Sequence, residues 1–215
     1  GSEHEMRLCS AFGLATMFAR GNNTAARSAF ERGLQIAEEL GDDLSQLRLL
    51  GRLQLFHERI GDFRGAMVYA QRCLSVARAL DDPEALAAAH AFVGTSHHMI
   101  GEQVEARAEF EAALRASAGS KQIGPTYFGF DHRLRAKVGL ARTLWLQGHA
   151  RQAVRTAHDM VVQADGTEHA VTRCITLIWA VSVLLWNGDF DDAEAYVDRF
   201  IALAEAHSLK PYQLI

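Results

Sequence analysis

Apolar residues recur three and four positions apart along most of the chain, as in Phe30, Leu34, Ala37 and Leu40 and again in Ala70, Leu74, Ala77 and Leu80. That spacing lays a single apolar stripe along a 3.6-residue helix. No stretch alternates apolar and polar residues as a half-buried strand would. The helical runs are interrupted at Gly41-Asp42-Asp43, Asp81-Asp82-Pro83, Asp165-Gly166-Thr167 and His207-Ser208. In the second of these, Asp82 can cap the helix that follows, with Pro83 at its first position, where no amide donor is needed. The three prolines all avoid the interior of a predicted helix.

A second pattern overlies the first. Gly-x4-Ala occurs at Gly21/Ala26, Gly61/Ala66, Gly101/Ala106, Gly148/Ala153 and Gly188/Ala193, so the glycines are spaced by 40, 40, 47 and 40 residues. Recurrence at a fixed period marks a repeat architecture, in which each unit packs only on its neighbours. Each period holds two helices: one ends near the glycine, which can take the positive φ of a helix terminus, and the next begins two or three residues later. The alanine at offset five lets the paired helices approach closely. At offset thirteen stand Leu34, Leu74, Leu114, Val161 and Ile201, expected to fill the layer between repeats. The fold class predicted is all-α: a right-handed superhelical solenoid of about five helix hairpins and ten helices, forming one domain over residues 3–215.

One segment breaks the period. The seven extra residues lie in an inserted loop at about 117–130, where Ile123, Tyr127, Phe128 and Phe130 can anchor the chain by packing or contribute to a binding site. Loops this long are usually functional or disordered. Gly1-Ser2 resembles a tag-cleavage scar and is set aside, and the chain stops at Ile215, near the start of what could be a sixth unit, as a fragment of a longer protein would.

Composition narrows the function classes. A net charge of −4 argues against direct nucleic-acid binding, which needs a clustered basic surface. Cys9, Cys73 and Cys174 are far apart and fit neither a disulfide framework nor a zinc site, which points to the cytoplasm. No apolar run was expected to reach the roughly 18 residues of a membrane span, the longest lying near Ile175 to Trp186 and broken by Thr176 and Ser182. His90, His97 and His98 invite a metal reading, but no His-x3-His or His-Glu-x2-His spacing occurs, and no phosphate loop or nucleophile elbow is present. The expectation is therefore a chain with no catalytic residues, metal or cofactor, in which the acidic runs Glu38-Glu39, Asp42-Asp43 and Asp191-Asp192 serve as caps and solvated charges.

The units Gly61-Asp62-Phe63 with Ala66 and Cys73-Leu74, and Gly188-Asp189-Phe190 with Ala193, resemble the tetratricopeptide repeat, with a period longer than that family's 34 residues. A closer resemblance is carried by Phe128-Gly129-Phe130-Asp131-His132-Arg133-Leu134-Arg135-Ala136 and Leu140-Ala141-Arg142-Thr143-Leu144-Trp145-Leu146-Gln147-Gly148, followed by Gln152-Ala153. This region is similar to the C-terminal helical-repeat region of large bacterial signalling ATPases linked to winged-helix or cyclase domains (STAND-type transcriptional regulators). The resemblance implies a non-catalytic regulatory module that binds a protein, a peptide or a small effector and passes its occupancy to an ATPase module of the parent chain. It implies neither a membrane nor a nucleic-acid contact by this segment.

In the tetratricopeptide family the first helix of each pair lines a concave groove. Carried over by offset from the glycine, that geometry assigns Arg48, Leu55, Glu58 and Arg59 to the groove, with Thr95, His98 and Met99 from the next unit. Arg135, Arg142, Trp145 and Leu146 follow, and then Ser182, Leu185 and Trp186. Arginines beside tryptophans suit an acidic or aromatic peptide, because guanidinium pairs with carboxylates and indole is a large anchor. The bland alternative is a solvated face with the tryptophans packed between repeats. Two other function classes stay open: a scaffold that dimerises through its apolar C-terminal end, and an enzyme on a helical scaffold, which would need a convergent cluster of titratable residues.

Overall fold

The computed structural model describes residues 1–118 and 131–209. Those residues form ten helices and no strand: α1 Ser2–Arg20, α2 Thr24–Leu40, α3 Asp43–Arg59, α4 Phe63–Leu80, α5 Pro83–Ile100, α6 Gln103–Ser117, α7 His132–Leu146, α8 Ala150–Asp165, α9 Ala170–Asn187 and α10 Phe190–Ala206. Each helix packs on the next, and the odd-numbered helices also pack on one another, α3 on α5, α5 on α7 and α7 on α9. That connectivity is a right-handed solenoid of five hairpins, with the odd helices forming the inner wall. Residues 119–130 of the inserted loop, with Ile123, Tyr127, Phe128 and Phe130, fall outside the described residues.

Local sequence explains where the helices begin and end. Asn23, Asp42, Asp62 and Asp82 each accept a hydrogen bond from a backbone amide of the first turn at 2.9–3.0 Å, which satisfies donors that have no partner inside the helix. Gly21, Gly61, Gly101, Gly148 and Gly188 all stand at positive φ, between 76° and 92°. The left-handed turn there is what glycine alone adopts without a steric cost. Ala26, Ala66, Ala106, Ala153 and Ala193 are all buried at the hairpin contacts.

At offset thirteen, Leu34, Leu74 and Val161 are buried and Leu114 is partly buried, whereas Ile201 is 47% exposed. The departure has a simple cause: in the earlier units this position is covered by the next hairpin, and no described helix follows α10.

Alpha-helix α9 corrects the expectation about apolar runs. Its 18 residues reach a mean hydropathy of 1.5, so by length and composition alone it could cross a membrane. In this fold it is an inner-wall helix, with Cys174, Leu177, Ala180 and Val183 in one core cluster with residues of α7, α8 and α10. Its polar positions are absorbed locally, since Thr176 donates to the Thr172 carbonyl at 2.8 Å and Ser182 to the Trp179 carbonyl at 2.6 Å.

The core divides into a cluster over α1–α5, a second over α7–α10, and a small one between them made of Ala91, Ala106, Phe110, Ala113 and Ala136. Phe110 of α6 is the bolt of this middle cluster. Its ring runs past Gly94 of α5 and ends at Gly139 of α7, so that a methyl group added to either glycine would fall 2.8 Å or 2.1 Å from ring carbons.

Candidate binding face on the inner wall

The inner wall is built from helices whose polar residues are spaced by seven. On α7, Arg135 and Arg142 share a face, and on α9 so do Trp179 and Trp186, because seven residues make almost two full turns. Packing α7 against α9 brings the two faces together. The Arg142 guanidinium lies over the Trp179 ring at 4.3 Å and over the Trp186 ring at 5.2 Å. Trp145, one turn after Arg142, meets Trp186 with ring centroids 5.4 Å apart and planes inclined at 47°. All three tryptophans of the chain therefore stand around one arginine.

This arginine makes no hydrogen bond or ion pair among the described residues, and its Nε is buried without a partner. The Nε1 of Trp145 is likewise buried and unpartnered. Burial pushes the Arg142 pKa down to about 10, partly offset by the attraction of Glu58, so the group remains charged at pH 7. Stacking on indole faces compensates some of the lost hydration, but it leaves the donors of the guanidinium unused.

Arg135 has a different fate. Its Nη2 donates to Glu58 Oε2 at 2.7 Å, and both side chains are largely withdrawn from water, at 13% and 12% exposure. Gln54 Nε2 donates to the same oxygen at 3.0 Å, and the Arg135 guanidinium lies 5.3 Å from the Phe92 ring centre. The pair ties the last turn of α3 to the first turn of α7 across α5.

The remaining candidates separate into two groups. Arg48 and Arg59 are exposed on α3. Thr95, His98 and Ser182 turn their polar atoms inward: Thr95 donates to the Ala91 carbonyl at 2.8 Å, as Ser182 does to that of Trp179. The Nδ1 of buried His98 lies 2.9 Å from Gln103 Oε1 and 3.1 Å from Thr143 Oγ1. Because Gln103 Nε2 donates to the His98 carbonyl, its oxygen must be the acceptor, which makes His98 a neutral Nδ1–H tautomer. Burial and the nearby Arg142 charge push its pKa down to about 4.

Trp179 escaped the sequence reading, since it lies off the tetratricopeptide groove offsets; its seven-residue spacing from Trp186 was the available signal. Gln54 and Phe92, which fix the Glu58–Arg135 pair, carried no signal of their own. Among the described residues no three His, Cys, Asp or Glu side chains converge as metal ligands would. The histidines are instead engaged in pairs such as His90–Glu109 and His97–Glu102, both at 2.6 Å.

No family profile and no curated protein sequence matches the chain. Solved structures do. A Rap protein complexed with Competence and Sporulation Factor superposes with a TM-score of 0.79 at 12% identity, over 97% of this chain and 56% of that one. The chain has the tetratricopeptide-like solenoid fold. A Podosopora anserina protein with nearly identical TPR-like repeats, assigned as a kinesin light chain, gives 0.62 at 17% identity, covering 95% of this chain and 98% of that one. A signal transduction ATPase with numerous domains and a tetratricopeptide repeat sensor, from Pyrococcus horikoshii, gives 0.64 at 14% identity; the match covers 95% of this chain and 31% of that one. At such identities the likeness shows the fold alone. It supports the repeat architecture and leaves the winged-helix and cyclase linkage as a reading of the sequence.

Proposed function

We propose that this chain is a non-catalytic binding module that holds a peptide segment of a partner protein, or a small effector, on its inner wall. We further propose that it serves as the sensor or interaction region of a larger bacterial regulatory ATPase. The observation that carries the first reading is Arg142, a charged side chain held between Trp179 and Trp186 with its Nε buried and unused. A partly buried cation with no hydrogen bond or ion pair among the described residues is a cost to folding that a ligand can relieve, and indole faces around it offer the rigid contact area typical of binding hot spots. Two solved neighbours lend support: the Rap protein was seen in complex with Competence and Sporulation Factor, and the Pyrococcus ATPase carries such repeats as its sensor.

The test is selection of binders from a displayed random-peptide library on the immobilised chain, followed by direct titration of the selected peptides. Arg142→Ala and Trp186→Ala are each expected to weaken the selected peptides by about 1–2 kcal/mol, as central interface residues do, with helicity unchanged by circular dichroism. Binders indifferent to both substitutions would refute the inner-wall site. A second reading, self-association, is favoured by α10, where Phe190 is 66% and Ile201 47% exposed; sedimentation at increasing concentration measures it directly.

A further inference from the structure

We infer that the Arg142 site recognises a carboxylate, one borne by a peptide beside an apolar side chain. The inference rests on the inner-wall reading above and names the chemistry of its ligand. Three observations point the same way. The donors left without acceptors at this place are Arg142 Nε and Trp145 Nε1, both on α7 and both carried by side chains that contact Trp186. N–H donors on a cation and an indole call for acceptor oxygens, and a planar carboxylate supplies two of them in the geometry a guanidinium matches. Beside them Leu146 and Leu185 are each about half exposed, and Trp186 is 37% exposed, which gives the carrier of that carboxylate an apolar surface to rest on.

The chain as a whole carries a net charge of −4, so the cation at this wall is a local feature rather than a general attraction for anions.

The experiment uses the peptides selected on the wild-type chain. For each, matched versions are made with the C-terminal carboxylate amidated, or with each Asp or Glu changed to Asn or Gln, and titrated by tryptophan fluorescence, which reports on this cluster because no other tryptophan is present. One of these neutralisations is expected to weaken binding at least tenfold to the wild-type chain and less than twofold to Arg142→Gln. Which matched version loses affinity tells a chain terminus from an acidic side chain. Peptides that require Arg142 yet tolerate every neutralisation would overturn the carboxylate reading alone; a library that yields no binder sensitive to Arg142 would overturn the inner-wall site with it.

Discussion

Substitution of Gly139 by alanine tests the middle of the solenoid, because its sign depends on one neighbour. In an exposed helix interior, glycine to alanine stabilises by about 1 kcal/mol, since alanine loses less backbone freedom. At Gly139 the new methyl would lie 2.1 Å from Cζ and 2.4 Å from Cε1 of Phe110, far inside van der Waals contact. Phe110 is completely buried and is hemmed on its other side by Gly94, so the ring cannot simply rotate away. Overpacking of this kind costs about 1–3 kcal/mol, and the net expectation for Gly139→Ala is a loss of about 0–2 kcal/mol. Phe110→Ala alone should cost about 3–5 kcal/mol through the cavity it leaves. In that background the clash is gone, and Gly139→Ala should stabilise by about 1 kcal/mol. The coupling between the two sites is then about 1–3 kcal/mol. Urea unfolding of the four proteins, followed by circular dichroism, measures it, with equal slopes required before the free energies are compared. An effect of Gly139→Ala that has the same sign and size with and without the ring would refute the bolt-and-socket account of this junction.

Ala66→Leu and Ala106→Leu should each destabilise by about 1–3 kcal/mol, because both alanines are fully enclosed between paired helices; thermal melts equal to wild type at both sites would discard the repeat register. Stability should fall with acidity in a defined window. His98 and His132 have pKa values pushed down by burial to about 4 and about 3, while in the unfolded chain they titrate near 6.5. The unfolded state thus takes up protons that the folded state refuses, so stability is full above about pH 6.5 and declines as the pH falls towards about 4. Urea midpoints at pH 7.5, 5.5 and 4.5 check this, and a flat profile between the first two would contradict the burial of both rings. Changing Ile201 to lysine should leave the unfolding free energy from urea titration within about 0.5 kcal/mol of wild type, as for other exposed positions; a large loss would mean that the α10 face is covered in solution.

The repeat architecture was legible because it rests on local chemistry repeated five times. A glycine that must adopt positive φ and an alanine that must fit between helices each leave a residue type at a fixed offset in all five units. The size complementarity across hairpins was less visible: Phe30 and Phe110 each stand nine residues after a repeat glycine, but Gly13, against Phe30, is eight before Gly21 and Gly94, against Phe110, is seven before Gly101. Reading it needs the partner helix, which runs in the opposite direction. Ile201 misled for the converse reason, since a repeat pattern cannot say whether a following unit covers its last layer. On the inner wall, offsets carried from a family brought Arg142, Trp145 and Trp186 onto one list but could not distinguish them from Thr95 or Ser182. Whether a hydroxyl bonds back to its own helix, or an arginine finds a glutamate 77 residues away, is decided by tertiary contact.

The two inner-wall arginines show how far charge type alone falls short of function. Arg135 and Arg142 sit seven residues apart on the same face, with the same side chain and similar partial burial. Glu58 and Gln54 converge on the first and make it a clasp between the second and fourth units. The second meets only indole faces. A clasp that is satisfied within the fold contributes to shape, because breaking it strands a buried charge; a cation that is left unsatisfied has free energy to release when an acceptor arrives.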